Sequence, residues 1–439
     1  MSRKNRTDGI GTAKKKRTAG ESVEILSLKL ENTDASTIKR HLAYLVGLSL
    51  LTKFFVIVVT TSVFHSFIDL FDIGFYFDHG MMLIQGQLPY VNYFFDYPIL
   101  IFVPTILALI PALLLQDTMV FVYSFQILMV LCDLLITICV YLIGLRIWDQ
   151  KTALYAGLIY ATAFSSAYFV LTKYDAFPTV LLMMALLCTV YGAAMKGYVT
   201  TAAGFFAKIF PVIALPFIVL FNAKESSIKQ EIYRSLKVFL PLIAILILPF
   251  LAFRTDIINT YLPIRTGMDY YSNTVTFTIY SWLHDVFGTA ISLDVILGVM
   301  FVMLVAGLLA LVYLAYSSPQ KDPVLLLKLV LTAIVLVIFC VKVRSPQYLV
   351  WFTPLLCILA ADDIRKIILV YLVQCMAYIE FPLLFRTYYV STQYTDPVLS
   401  PGWFTILIVF TLEYVILFAC IWLVVNPKNL LENLRKASD

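Results

Sequence analysis

The chain has 439 residues, is 61% hydrophobic and only 13% charged, and has a mean hydropathy of +0.89, whereas soluble domains run near half apolar and about a quarter charged. Its apolar runs of about 20 residues are long enough to cross roughly 30 Å of hydrocarbon, which excludes an ordinary soluble domain and points to an all-α, polytopic helical membrane protein. A net charge of +5 is too small to argue for nucleic acid, so membrane lipid is the expected partner and nucleic acid is not.

The chain opens on a basic arm, with RKNR and KKKR inside the first 17 residues and the first apolar run starting near residue 41. That offset is too long for a cleavable signal peptide. Residues 1–40 therefore read as a retained, disordered cytoplasmic tail that touches anionic lipid. About 12 apolar segments follow, at 42–64, 98–115, 119–145, 152–170, 176–194, 199–221, 236–253, 290–316, 325–341, 346–361, 364–385 and 402–425. They make 41–425 a single transmembrane domain, with 426–439 as a second cytoplasmic tail. All seven cysteines fall inside apolar runs with no ligand spacing, so they read as packing residues and not as disulfides or metal ligands.

Cytoplasmic loops collect Lys and Arg, and that bias orients the segments. A cytoplasmic amino terminus puts the 65–97 loop outside. Arg146, Lys151 and Lys196 then fall inside only if 98–115, which carries Pro98, Pro104 and Pro111, packs on the outer side without crossing. The 199–221 segment is interrupted by Lys208 and Pro211. A lysine at mid-membrane is costly unless it meets water or a counter-charge, so the segment reads as two half-helices meeting at the outer face. Residues 65–118 thus form an outer loop with non-crossing helices, and 254–289 form a second large outer loop.

The polar residues left on the outer face are few. They are the 65–97 loop, Lys173-Tyr174-Asp175, Lys208, the 254–285 loop with Arg265, Asp269, Tyr270, Tyr271 and Asn273, the stretch from Lys342 to Tyr348, and 386–401. Taken singly, Lys173 or Arg386 also reads as an interfacial residue that snorkels, and any one loop tyrosine as part of an aromatic belt. Several cations gathered on the face where they should be sparse suggest an anion, and beside lipid that anion is a phosphate headgroup.

Five passages in order carry a resemblance. Asp72, with Tyr76 four residues on and Gly86 and Pro89-Tyr90 beyond, is one. Asp96-Tyr97-Pro98, Lys173-Tyr174-Asp175 with Pro178, Lys208 to Pro211 with Pro216, and Ser345-Pro346-Gln347-Tyr348 with Trp351 and Pro354 are the others. The chain resembles the GT-C superfamily of integral-membrane glycosyltransferases, and within it the mannosyltransferases that use polyprenol-phosphate-mannose. The second passage is similar to a Tyr-Pro-Pro-Leu motif, from which Ile99 departs at the second proline.

The resemblance implies a GT-C-like fold and an inverting transfer of a hexose, most simply mannose, from a polyprenyl- or dolichyl-phosphate sugar. The acceptor would be a glycan or glycolipid, and the site would lie on the extracytoplasmic face of the plasma membrane. It also implies an aspartate early in the first outer loop as general base. Asp72 matches that position; Asp69 and Asp78 are the alternatives. Lys208, Lys342, Arg344 and Arg265 are the candidates for the leaving phosphate. Tyr76, Asp78, Tyr90, Asp96, Tyr97, Lys173, Asp175, Gln347 and Tyr348 complete the expected substrate site. The loop has DLFD and FDHG where metal-dependent branches carry Asp-x-Asp, so neither metal nor cofactor is expected. A transporter or flippase of polyprenyl-linked glycans is the competing class. It should show inverted repeats and polar groups at the bilayer midplane, whereas here no repeat is visible and the charges gather at one face.

Overall fold

The structure, a computed structural model, describes residues 23–25, 28–30, 35–64, 68–93, 95, 97–248, 270–385, 389–390 and 393–427. Among these the chain is almost wholly helical. The first half runs α1 (Ala35–Val58), α2 (Phe71–Ile84), α3 (Phe102–Leu115), α4 (Thr118–Ile147), α5 (Gln150–Ala161), α6 (Phe164–Thr172), α7 (Ala176–Val190), α8 (Ala194–Ala207), α9 (Leu215–Asn222) and α10 (Ile228–Leu246). The second half runs α11 (Val275–Tyr280), α12 (Leu293–Ser317), α13 (Pro323–Cys340), α14 (Leu349–Ala360), α15 (Ile364–Tyr378) and α16 (Pro401–Val425). The described strands form two minimal antiparallel hairpins, pairing Val23 with Leu30 and Tyr389 with Tyr394. The first hairpin lies in the arm expected to be unstructured, and α1 begins at Ala35, ahead of the expected start near residue 41.

Helix starts follow local chemistry. Asp117, Asp149, Ser227, Ser292, Asp322, Asp363 and Ser400 each accept a backbone N–H from the first turn of α4, α5, α10, α12, α13, α15 and α16. Each cap satisfies one of the amides a helix start leaves unpaired.

Among the described residues, six helices are long and apolar enough by themselves to cross a membrane: α1 with its extension to Val63, α4, α12, α13, α15 with its extension to Leu384, and α16. The chain is therefore an all-α protein with the make-up of a multi-pass membrane protein. The remaining apolar segments are short or bent. The 152–170 stretch is α5 and α6, bent by 53° at their break. The 98–115 stretch is one turn at Ile99–Ile101 followed by α3. The 199–221 stretch breaks after Ala207 and resumes at Phe210–Ala214 and α9, so Lys208 lies between helices. Proline, which lacks an N–H and locks φ, stands beside these breaks at Pro98, Pro211 and Pro346.

The core centres on α4, α7 and α14. Every residue of α14 is buried, while only 22% of the apolar window of α1 and 11% of that of α12 are buried. One buried ion pair crosses this core: Lys53 Nζ of α1 lies 2.5 Å from Asp133 Oδ2 of α4. Ser49 and Tyr160 hydroxyls donate to the same carboxylate, at 3.2 and 2.7 Å. Nothing in the outer-face motifs pointed to this pair.

Candidate active site

The site begins where α2 begins. Asp69 Oδ1 accepts the N–H of Phe71 at 3.1 Å, which fixes the entry into the helix, and Asp72 lies in its first turn. α2 rests against α3 so closely that a Cβ on Gly80 would meet Leu109 Cδ1 at 2.6 Å. The rest of the loop closes on itself. Tyr90, held at φ 65°, donates its hydroxyl to the carbonyl of Tyr97, and its N–H bonds Tyr93 O at 2.9 Å. An aromatic residue in the left-handed region is uncommon, and these two bonds over-determine it.

The link between α6 and α7 brings the counter-charges. Lys173 Nζ lies 2.7 Å from Asp69 Oδ2 and 3.2 Å from Asp72 Oδ2. Asp175 Oδ1 accepts Lys208 Nζ at 2.7 Å and Trp351 Nε1 at 2.5 Å, while its other oxygen has no partner among the described residues. Lys208 also faces the rings of Tyr174, Trp351, Tyr348 and Tyr97 at 4.7 to 5.8 Å, within cation–π range. Tyr348 stacks on Trp351 at 3.8 Å, and Tyr76 packs its ring 5.4 Å from that of Tyr174.

These groups border a cleft of about 490 Å³, lined by Asp69, Asp72, Tyr97, Lys173, Tyr271 and Gln347, with Ser345, Pro346 and four phenylalanines. The Asp72 side chain is only 18% exposed. Burial pushes its carboxyl above the usual aspartate range, with Lys173 pulling the other way and Asp69 and Asp175 adding to the rise. The result is a carboxylate of enhanced basicity opening on a space large enough for a sugar.

Of the residues expected at the site, Asp72, Tyr97, Lys173 and Gln347 line the cleft, and Tyr76, Asp175, Lys208 and Tyr348 stand directly behind it. Tyr90 supports the loop and does not line the cleft. Asp78 is exposed on α2 and lies outside the cleft lining, whereas its rival Asp69 lies within it. Lys342 meets the cleft wall through its backbone, accepting Tyr271 N–H at 2.9 Å. Asp96 and Arg265, with Asp269 and Arg386, lie outside the described residues.

Arg344 differs most from its expected role. It is buried away from the cleft lining. Its Nη2 lies 3.0 Å from Glu380 Oε2 and bonds Glu413 Oε1; its Nη1 bonds Asn273 O and the Tyr414 hydroxyl at 3.2 and 3.0 Å. A guanidinium with two buried carboxylates is already neutralised, so the expectation of a phosphate ligand at Arg344 does not fit its surroundings. Glu380 and Glu413 were missed. The signal that finds them is an acid inside an apolar segment, which is costly and so demands a partner.

Among the described residues no three His, Cys, Asp or Glu side chains gather into a metal-binding group. Comparison of the sequence with protein-family models and with curated proteins gives no match.

Proposed function

We propose that the chain is an inverting glycosyltransferase that moves a hexose, most simply mannose, from a polyprenyl- or dolichyl-phosphate sugar to a glycan or glycolipid. The reaction would run on the extracytoplasmic face of the plasma membrane. The observation that carries this reading is Asp72, a desolvated carboxylate with raised basicity on a cleft of about 490 Å³, beside a paired lysine.

In the proposed step the acceptor hydroxyl oxygen attacks the anomeric carbon from the face opposite the phosphate. Asp72 takes the hydroxyl proton as the new C–O bond forms, and such a base is worth about 10²–10⁴ in rate. The bond from the anomeric carbon to the phosphate oxygen breaks, and its electron pair leaves with the polyprenyl phosphate. The donor phosphodiester gains negative charge as it departs, so nearby ammonium groups stabilise the transition state more than the ground state. Arg344 and Lys173 each stand between two carboxylates, so the charge falls to Lys208, which is paired with Asp175 alone among the described residues, while Tyr97 at the cleft wall offers a stacking surface to the sugar. Six candidate spans and a cleft bordered by outer-loop motifs suit a lipid-borne donor.

The test is incubation of the purified protein with radiolabelled polyprenyl-phosphate mannose and a panel of glycan and glycolipid acceptors. Transfer that inverts the anomeric centre and vanishes in Asp72→Asn is expected. No transfer to any acceptor, together with movement of lipid-linked glycan across proteoliposomes, would favour a flippase instead.

A further inference from the structure

The single ammonium of Lys173 stands between two carboxylates and is divided unequally, 2.7 Å from Asp69 against 3.2 Å from Asp72. Asp69 is the better anchored of the two acids. Its Oδ1 is held by the Phe71 N–H, and its own N–H reaches the Tyr168 hydroxyl at 3.2 Å. Lys173 is anchored as well, its N–H closing α6 onto Phe169 O at 2.8 Å. The three side chains are 13%, 7% and 18% exposed for Asp69, Lys173 and Asp72, so solvent screens their interaction weakly.

The other groups facing Asp72 are Asp175 and Tyr174 from the α6–α7 link, Tyr76 from its own helix and Tyr97 from the loop. The opposite wall contributes Tyr271, Ser345 and Gln347, and Lys208 is bonded to Asp175. Among the described residues, Lys173 is the cation in ion-pair contact with Asp72.

An aspartate holding a lysine to itself is a weak base, since one adjacent opposite charge lowers its pKa by about 1–3. A general base works best when its pKa approaches the working pH. We infer that Asp69 is a positioning residue that draws Lys173 away from Asp72 and so keeps Asp72 basic enough to take the acceptor's proton. This rests on the reading of Asp72 as the base. Asp69 acts in two ways: it competes for the ammonium, and it adds a second negative charge beside the base. Both effects raise the basicity of Asp72, so removing the Asp69 carboxylate should weaken the base.

The experiment is the pH–rate profile of the full-length protein in lipid nanodiscs, with radiolabelled polyprenyl-phosphate mannose as donor and the best acceptor from the panel. Asp69→Asn should hand Lys173 to Asp72, move the acid limb down by about one pH unit and lower the neutral plateau. Lys173→Met should move the limb up by about one unit, making a roughly ten-fold rate difference on the acid side. Asp69→Glu, which keeps the charge, should leave the limb near its wild-type position. The inference is overturned if Asp69→Asn and Lys173→Met both keep the wild-type limb or both move it in one direction. It is equally overturned if Asp69→Glu shifts as far as Asp69→Asn. Should Asp69→Asn fail to fold, the upward shift in Lys173→Met and the unmoved limb in Asp69→Glu decide the matter. Full activity in Asp72→Asn would overturn the base assignment itself, an outcome separate from all of these.

Discussion

Arg344 lies between Glu380 and Glu413, each on a different helical segment, and joins both to the loop that walls the cleft. Asn273 extends the cluster by donating to Glu380 Oε1 at 2.7 Å and by accepting, through its carbonyl, from Arg344 and Tyr414. Tyr271, two residues before Asn273, and Gln347, three residues after Arg344, both line the cleft. The cluster therefore fixes the wall opposite Asp72 without touching substrate space.

Arg344→Met should unfold readily, because it leaves two buried carboxylates without a counter-charge, a loss on the order of 3–5 kcal/mol. Glu413→Gln should cost much less, since the guanidinium keeps Glu380 and one like-charge contact disappears. Thermal unfolding of the two variants in the same detergent checks the order. A stable Arg344→Met protein whose only defect is poor use of the donor would return Arg344 to the phosphate.

Asp72 gives an expectation with a definite sign. Its carboxyl is raised above the ordinary aspartate value, mainly by burial, so the folded state prefers the protonated form. Its contribution to stability is present in full below the unfolded value and is lost as pH rises through the folded one. Ionised Asp72 at neutral pH is therefore a stability cost. Asp72→Asn should abolish transfer and raise the unfolding temperature, by more at neutral pH than at mildly acidic pH. Unfolding curves of both proteins at two pH values check this. A variant less stable than wild type at neutral pH would mean that Lys173 outweighs burial at this site.

Much of this was legible because its signals are local. The spans at α4, α12, α13 and α16 are apolar runs, and the break at Lys208 is a lysine followed three residues later by a proline in a stretch that should be continuous. The shortness of 98–115, a single turn running into α3, was legible in its length, but no bend of the kind seen between α5 and α6 is present in it. The gathering of Asp72, Tyr97, Lys173 and Gln347 at one cleft was legible only through ordered motifs that bring distant residues to one face. Pairing was not legible. Glu380 and Glu413 stand 36 and 69 residues from Arg344, and Asp69 stands 104 residues from Lys173. Sequence position does not say which acid takes which cation. A count of outer-face cations therefore overstated how many were free to meet a phosphate, since Lys173, Lys208 and Arg344 all have carboxylate partners.

The pair Lys53–Asp133 offers the plainest test of what buried charge does in this fold. Lys53 is buried on α1, a helix that otherwise turns most of its surface outward, and it meets a carboxylate whose two oxygens are satisfied by Lys53, Ser49 and Tyr160. Breaking one partner of such a pair is costly, on the order of 3–5 kcal/mol, whereas replacing both with apolar residues of similar size is often neutral. Lys53→Met should therefore destabilise the protein strongly by leaving Asp133 charged between α1 and α4. Lys53→Met combined with Asp133→Leu should recover most of the loss, less what the Tyr160 hydroxyl forfeits when its acceptor goes. Neither residue lines the cleft, so the folded double variant should keep its donor and acceptor dependence. A double-mutant cycle on unfolding temperature, with transfer assayed alongside, measures both effects. A stable double variant that has lost turnover would show that the pair serves the reaction and does not merely clamp α1 to α4.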